Sequence, residues 1–131
     1  MSVNRVMLMG RIANPNGPEL RYLQDGKPVA NFRLAVDRQY KNKDGSRDVD
    51  FFPVTVYGKI AEVLAKNTDK GCRVIVEGRL QNRSYKDKEG RTQWITEVIA
   101  ANIQIIDWAK EADNTVGEDG SEEMQEDDLP F

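Results

Sequence analysis

The chain of 131 residues has no histidine and a single cysteine, Cys72. The missing histidines remove the commonest general base and the commonest metal ligand, so we expect neither an enzyme nor a metal site. One cysteine cannot form an internal disulfide, which favours a reducing, cytoplasmic compartment, and Cys72 is predicted to be a small core residue. No apolar run approaches the roughly 20 residues that span a bilayer, and the first residues lack a signal-peptide pattern. These absences predict a protein without a cofactor or a membrane segment.

Acidic residues are in the minority along most of the chain and concentrated at its end. Residues 1–108 contain 18 Lys and Arg against 13 Asp and Glu. Residues 109–131 contain one Lys against nine Asp and Glu. The second segment is also poor in aromatic residues, so it cannot bury enough apolar area to offset the entropy of ordering. We therefore predict a basic folded domain over residues 1–108 and a disordered acidic tail over residues 109–131. A basic domain suggests a polyanionic ligand.

Alternation of apolar and polar residues with a period of two dominates the domain, which is typical of strands with one buried face. In the fourth predicted strand, alternation places Leu80 on the same apolar side as Val74 and Val76, and Gly78 between them predicts a β-bulge. The predicted strands are Asn4–Ile12, Val29–Asp37, Val49–Tyr57, Cys72–Arg83 and Gln93–Ile106.

Turn signals separate the strands, and one segment has a helical period. Asp25-Gly26 predicts a hairpin before Val29, and charged loops follow at residues 43–46 and 86–90. Residues 59–66 place apolar side chains at helical spacing, with Gly71 just past the expected end. Five strands with one short helix between the third and the fourth match the order of the OB-fold, an all-β Greek-key barrel that binds oligomers across one face.

Aromatic and basic residues occur together in two hairpins, as a surface for single-stranded nucleic acid requires. Tyr40 and Tyr85 lie at the bases of charged loops, where we expect them to be exposed. Phe51 and Tyr57 share one face of the third strand, and Trp94 lies across the last hairpin from Tyr85. Such a surface binds through base stacking and phosphate contacts with little sequence preference. Duplex reading is not expected, because no basic recognition helix is visible.

Aromatic residues in strands are more often part of the core than of a binding surface. Phe32, Phe52 and Tyr22 are accordingly predicted to be core residues. The first predicted strand is apolar on both faces, since Met7 and Met9 alternate with its core positions, and such an edge strand invites pairing with another chain.

Several short segments together resemble the bacterial and phage single-stranded DNA-binding protein family. They cover essentially the whole domain and the last five residues, and their combination is far more specific than any one of them. The segments are Asn4–Arg11, Pro18–Tyr22, Val29–Phe32, Tyr57–Lys59, Lys70-Gly71, Glu77–Leu80, Thr96–Val98 and Asp127–Phe131.

The resemblance implies an OB-fold homotetramer, without enzymatic activity, that protects and organises single-stranded DNA in replication, recombination and repair. It implies a cytoplasmic, nucleoid-associated protein. The stacking residues that it implies are Tyr40, Phe51, Tyr57, Tyr85 and, with a less defined role, Trp94. The implied phosphate-contacting residues are Arg5, Lys41, Lys43, Lys59, Lys70 and Arg83. The terminal Asp127, Asp128, Leu129, Pro130 and Phe131 match the family motif that recruits replication and repair proteins.

The chain also departs from the family pattern. Pro53, Asp69 and Ser84 stand where relatives carry further cations, and the loop over residues 13–18 is about two residues longer than usual. The acidic segment before the terminal motif is short, so its reach is modest. 

Three other functions are compatible with the residue pattern alone. An RNA-binding module would use the same stacking and charge. A nuclease on the same fold would use Asp48 and Asp50 to hold a metal ion, although no third ligand is evident. A protein that only recruits partners through its tail would have no affinity for DNA.

Overall fold

The computed structural model describes residues 1–109, which form six strands and one helix. The strands are β1 Val6–Ile12, β2 Glu19–Tyr22, β3 Pro28–Asp37, β4 Val49–Tyr57, β5 Arg73–Lys86 and β6 Thr92–Ile105, and the helix is α1 Lys59–Asn67. The predicted tail motif, Asp127–Phe131, lies outside the described residues.

The strands form one sheet in the order β1-β5-β6-β4-β3-β2, which closes on itself because β1 also pairs with β3. The closing pairs are Arg11 with Ala35 and Ile12 with Leu34. The predicted all-β OB-fold barrel with one short helix is confirmed. One difference is that Glu19–Tyr22 forms a separate short strand, β2, along the outer edge of β3 through the predicted Asp25-Gly26 hairpin.

The core lies inside the barrel and is built from the apolar positions of the alternating strands. Val54, Val74 and Val76 are almost fully buried, as are Ala61 and Leu64 of α1, which covers one end of the barrel. The helix ends as predicted, and the hydroxyl of Thr68 donates a hydrogen bond to the carbonyl of Leu64 at 2.6 Å. Cys72 is buried, as expected, and its sulfur accepts a hydrogen bond from the amide of Asp69.

Two glycines allow the barrel to close at points where backbones touch. A Cβ at Gly10 would lie 2.3 Å from the carbonyl oxygen of Ala35, where β1 crosses β3. A Cβ at Gly78 would lie 2.1 Å from the carbonyl oxygen of Ile99, at the shift in register between β5 and β6. The predicted bulge at Gly78 is therefore confirmed, and its physical cause is the close approach of β6.

Strands β5 and β6 are longer than the barrel and continue outward as a two-stranded hairpin, which we call the arm (residues 79–97). Every residue of β5 from Arg79 to Lys86 is exposed. Leu80 is among them, although the alternation alone assigned it to the interior face. The side chain of Asn4 joins β1 to the foot of the arm by exchanging two hydrogen bonds with the backbone of Leu80.

The predictions for core aromatic residues are only partly correct. Phe32 is buried, and Phe52 is half-buried beside it. The prediction for Tyr22 is wrong, since this residue is 56% exposed. Tyr22 lies on the edge strand β2, and its hydroxyl donates a hydrogen bond to Glu62 of α1 at 3.0 Å.

No helix within residues 1–109 has the length and apolar character needed to cross a membrane. 

Candidate nucleic-acid interface

The outward side of strands β3, β4, β6 and β5 forms one continuous surface, which we call the outer face. Opposite residues in a ladder point to the same side of a sheet. The register pairs Phe51 with Ala35, and it pairs Tyr85 with Gln93. The parallel pairing of Thr55 with Ile99 joins these two ladders across β4 and β6. The odd-numbered residues of β3, β4 and β5, and those of β6 up to Ile99, therefore point to the outer face, whereas Ile103 and Ile105, beyond the shift in register, belong to the core.

Three aromatic rings occupy the outer face, and each is about half exposed. Phe51 and Tyr57 lie on β4 with exposures of 48% and 44%, and Tyr85 lies on β5 with 49%. The Arg33 guanidinium lies 4.7 Å from the centroid of the Phe51 ring, and the Lys27 ammonium lies 5.6 Å from that of Tyr57. Phe51 and Tyr57 thus each have a cation within contact distance.

A row of four polar side chains crosses the outer face between the rings, and we call it the polar row. The Asn31 amide donates to the Thr55 hydroxyl at 2.8 Å, and this hydroxyl lies 3.5 Å from Glu97 Oε1. Arg83 Nε donates to Glu97 Oε2 at 3.3 Å. The polar row ties β3, β4, β6 and β5 together, with a buried carboxylate near its middle.

The loop over residues 38–48 projects from the end of β3 and β4 and carries Tyr40, which is 78% exposed. Its base is held by Arg38, which makes two hydrogen bonds to the carboxylate of Asp50, and by Arg47, which donates to the carbonyls of Arg38 and Gln39. A rigid base of this kind presents the loop tip, with its cations, to solvent.

Asp48 and Asp50, the acids of the nuclease alternative, are both engaged by Arg38. Arg38 lies 3.0 Å from Asp50 and 3.8 Å from Asp48. Hydrogen bonding from Arg38 keeps the pKa of the Asp50 carboxyl below its ordinary value. Within residues 1–109, no cluster of three or more potential metal ligands is found. The two acids thus have a structural partner.

Trp94 does not lie with the other aromatic residues. It pairs with Ser84, so it projects from the side of the arm opposite to Tyr85. This side would face the barrel interior if the barrel extended so far, but here it is open and Trp94 is 70% exposed. The sequence placed Trp94 across the hairpin from Tyr85, and the register adds that the two rings point in opposite directions.

The six cations expected to contact phosphates are all exposed but do not form one patch. Arg5 precedes β1 and is paired with Glu77 at 2.9 Å. Lys70 lies at the other end of β1, next to Gly71, whose amide donates to the carbonyl of Ile12. The rise of a strand puts those ends roughly 20 Å apart. Lys41 and Lys43 are on the Tyr40 loop, Lys59 begins α1, and Arg83 is in the polar row.

Two further cations on the outer face are not among the residues predicted to contact phosphate. Arg33 stacks on Phe51, and Arg79 pairs in register with Ile99, two residues from Glu97. Their odd positions in alternating strands placed both on a polar face, and this signal could have identified them.

The model of the single-strand binding protein family matches residues 3–106. The chain belongs to this family. It is 40% identical to single-stranded DNA-binding protein 2 of Clostridium acetobutylicum over 137 residues, which cover 98% of this chain and 100% of that protein. It is 45% identical over 105 residues to the single-stranded DNA-binding protein of Halalkalibacterium halodurans, covering 80% of this chain and 61% of that protein.

A third relative is single-stranded DNA-binding protein 1 of Staphylococcus aureus, with 43% identity over 112 residues, which cover 86% of this chain and 70% of that protein. Members of the family are DNA-binding proteins and not enzymes. The nuclease alternative is therefore not supported, and the family resemblance expected from the sequence segments is confirmed.

Proposed function

We propose that this protein binds single-stranded DNA without sequence preference, and protects and organises it in replication, recombination and repair. The observation that carries the proposal is the presence of three half-exposed aromatic rings on the outer face, two of them with a cation in contact. Exposed rings of this size are costly to leave in water, whereas unpaired bases offer flat partners that would cover them.

Stacking on Phe51, Tyr57 and Tyr85 supplies most of the affinity in this proposal. Each stacked base is worth about 1–3 kcal/mol as judged by alanine substitution, and every base has a face that can stack. Binding therefore depends little on sequence. Tyr40, on its loop beyond the end of β3 and β4, extends the row of rings by one position.

Phosphates are bound in this proposal by five exposed cations: Arg5, Lys41, Lys43, Lys59 and Lys70. Arg83, the sixth predicted contact, is already paired with Glu97. Because Arg5 and Lys70 lie at opposite ends of β1, a strand that reaches both must pass over much of the barrel surface. Trp94 would be reached only by DNA that passes around the edge of the arm, since it lies on the side opposite to Tyr85. 

Binding of a labelled dT oligonucleotide, followed by fluorescence anisotropy over a range of salt concentrations, tests the proposal. We expect saturable binding that weakens with salt, and little binding to a duplex of the same length. Competition by oligo-U of equal length distinguishes DNA from RNA preference. Absence of dT binding at low salt would refute the proposal and leave recruitment of partners as the function.

We further propose that the protein is a homotetramer that pairs through β1. Met7 and Met9 are exposed on the outward side of this strand, with exposures of 64% and 49%. Only the last two residues of β1 pair with β3, so the backbone of Val6–Gly10 has one edge without a strand partner among the described residues. An exposed apolar strand with an open edge is a ready surface for a second copy.

Mass measurement under native conditions tests the assembly, and we expect four chains per particle. Replacing Met7 and Met9 together by lysine should shift the protein to smaller species because like charges would meet across the strand. A monomer for the unmodified protein across micromolar concentrations would contradict the assembly.

The terminal residues, Asp127, Asp128, Leu129, Pro130 and Phe131, are proposed to recruit replication and repair proteins. A bulky apolar residue with a free carboxylate suits an apolar pocket with a basic rim. Deletion of Phe131 alone should abolish capture of such partners while leaving the affinity for dT oligonucleotides unchanged. Unaltered capture after this deletion would show that the tail serves another purpose. The domain of residues 1–108 and the tail of residues 109–131 would thus have separate tasks in a cytoplasmic, nucleoid-associated protein.

A further inference from the structure

Glu97 places a negative charge within the surface on which single-stranded DNA is proposed to bind. Its side chain is only 9% exposed, whereas that of its partner Arg83 is 54% exposed. The carboxylate has Arg83 Nε at 3.3 Å and the Thr55 hydroxyl at 3.5 Å. A charge buried to this extent requires a partner of opposite charge, and Arg83 supplies it.

We propose that Glu97 competes with phosphate for Arg83, so that Arg83 makes no net phosphate contact and the centre of the outer face is reserved for bases. This inference rests on the proposed binding of single-stranded DNA. A phosphate that approached Arg83 would either displace Glu97 and leave the buried carboxylate unpaired, or share the guanidinium with it at the cost of repulsion between two anions.

This competition determines how the bound strand is oriented, with its bases and its phosphates on different parts of the outer face. The rings of Phe51, Tyr57 and Tyr85 surround the polar row, so bases cover the middle of the outer face. Phosphates then lie at its margins, near cations that no buried acid neutralises, such as Lys41 and Lys43 on the projecting loop. Arg83 is in this view a positioning residue that holds Glu97 and fixes β5 against β6.

The salt dependence of binding separates this role from a direct phosphate contact. Four full-length proteins are compared on a labelled dT oligonucleotide between about 50 and about 200 mM salt: the unmodified protein, Arg83→Gln, Glu97→Gln and the double variant. Each phosphate contact on a single strand contributes about 0.7 to the slope of log K against log salt, which is an extra loss of about 2.6-fold across this range.

We expect Arg83→Gln to leave the slope unchanged but to weaken binding, because the carboxylate of Glu97 then repels the strand. Glu97→Gln frees Arg83 to bind a phosphate, so binding at low salt becomes tighter. The slope becomes steeper by about 0.7 for each Arg83 side chain that contacts a phosphate. The double variant should regain both the slope and the affinity of the unmodified protein.

Glu62→Gln removes an acid on α1 outside the outer face and is the control for a general effect of net charge. It should change neither the affinity for the dT oligonucleotide nor the salt slope. Thermal unfolding of every variant checks that the barrel persists. A flatter slope for Arg83→Gln alone would overturn the inference, and so would an unchanged slope for a folded Glu97→Gln. If Glu97→Gln does not fold, the slope measured for Arg83→Gln alone decides whether the inference holds. Loss of dT binding by the unmodified protein would instead refute the proposed function.

Discussion

Replacing Phe51 and Tyr57 together by alanine is expected to weaken binding of dT oligonucleotides by at least about 30-fold. Each ring is about half exposed on β4, and loss of one stacked base costs about 1–3 kcal/mol, or roughly 5- to 150-fold in affinity. The two losses add if the bases stack independently. The salt slope should stay nearly constant, because the variant removes stacking and no cation. Anisotropy titration at two or more salt concentrations measures both quantities.

Tyr22→Ala is the matched control for this experiment. Tyr22 is an exposed tyrosine on β2, but its hydroxyl donates a hydrogen bond to Glu62 of α1, away from the outer face. Removing it deletes a comparable exposed ring outside the outer face, so affinity for dT should not change. If Tyr22→Ala weakens binding as much as the double variant does, or if the double variant binds normally, the outer face is not the DNA surface.

Gly78→Ala is expected to lower the free energy of unfolding by at least about 3 kcal/mol and the Tm by more than about 10 °C. A Cβ at this position would lie 2.1 Å from the oxygen and 2.9 Å from the carbonyl carbon of Ile99, both of them backbone atoms that a rotamer change cannot move. Because β5 pairs with β1 on one side and β6 on the other, it cannot shift away. Thermal and denaturant unfolding measure the loss.

Gln81→Ala, three residues further along β5, controls for substitution in this strand. Gln81 is exposed, so its replacement should change the stability by no more than about 0.5 kcal/mol. A Gly78→Ala protein as stable as the Gln81→Ala protein would mean that the bulge can open, and that β6 does not press on Gly78 in solution.

The barrel could be predicted because each of its strands repeats one simple pattern. Alternation located five strands, the helical spacing after Tyr57 located α1, and the break at Gly78 located the bulge. Strand β2 was harder, because four residues at a sheet edge carry little periodic signal. The same edge position explains Tyr22, since an edge strand has no second neighbour to enclose an aromatic ring.

The candidate site was less predictable, because it depends on where strands leave the barrel and on which residues meet across it. Alternation does not show that β5 and β6 extend beyond the barrel. Leu80 was therefore assigned to the interior, and the position of Trp94 on the side of the arm opposite to Tyr85 was not predicted. The bond between Arg83 and Glu97 joins residues 14 positions apart, and it follows from the register of β5 with β6. Register is set by the hydrophobic pattern together with the length and type of the turn, so a one-residue error in either changes which side chains meet.

The burial of Cys72 makes the chain suitable for site-selective labelling. This is the one thiol in the sequence, it is only 6% exposed, and its sulfur is already engaged by the Asp69 amide. Maleimide dyes should therefore spare the native barrel. A new cysteine in place of Ser84, which is exposed on the arm opposite Trp94 in the ladder, would be the reactive position. If the protein assembles as proposed, energy transfer between dyes at this position would report the distance between the arms of two chains.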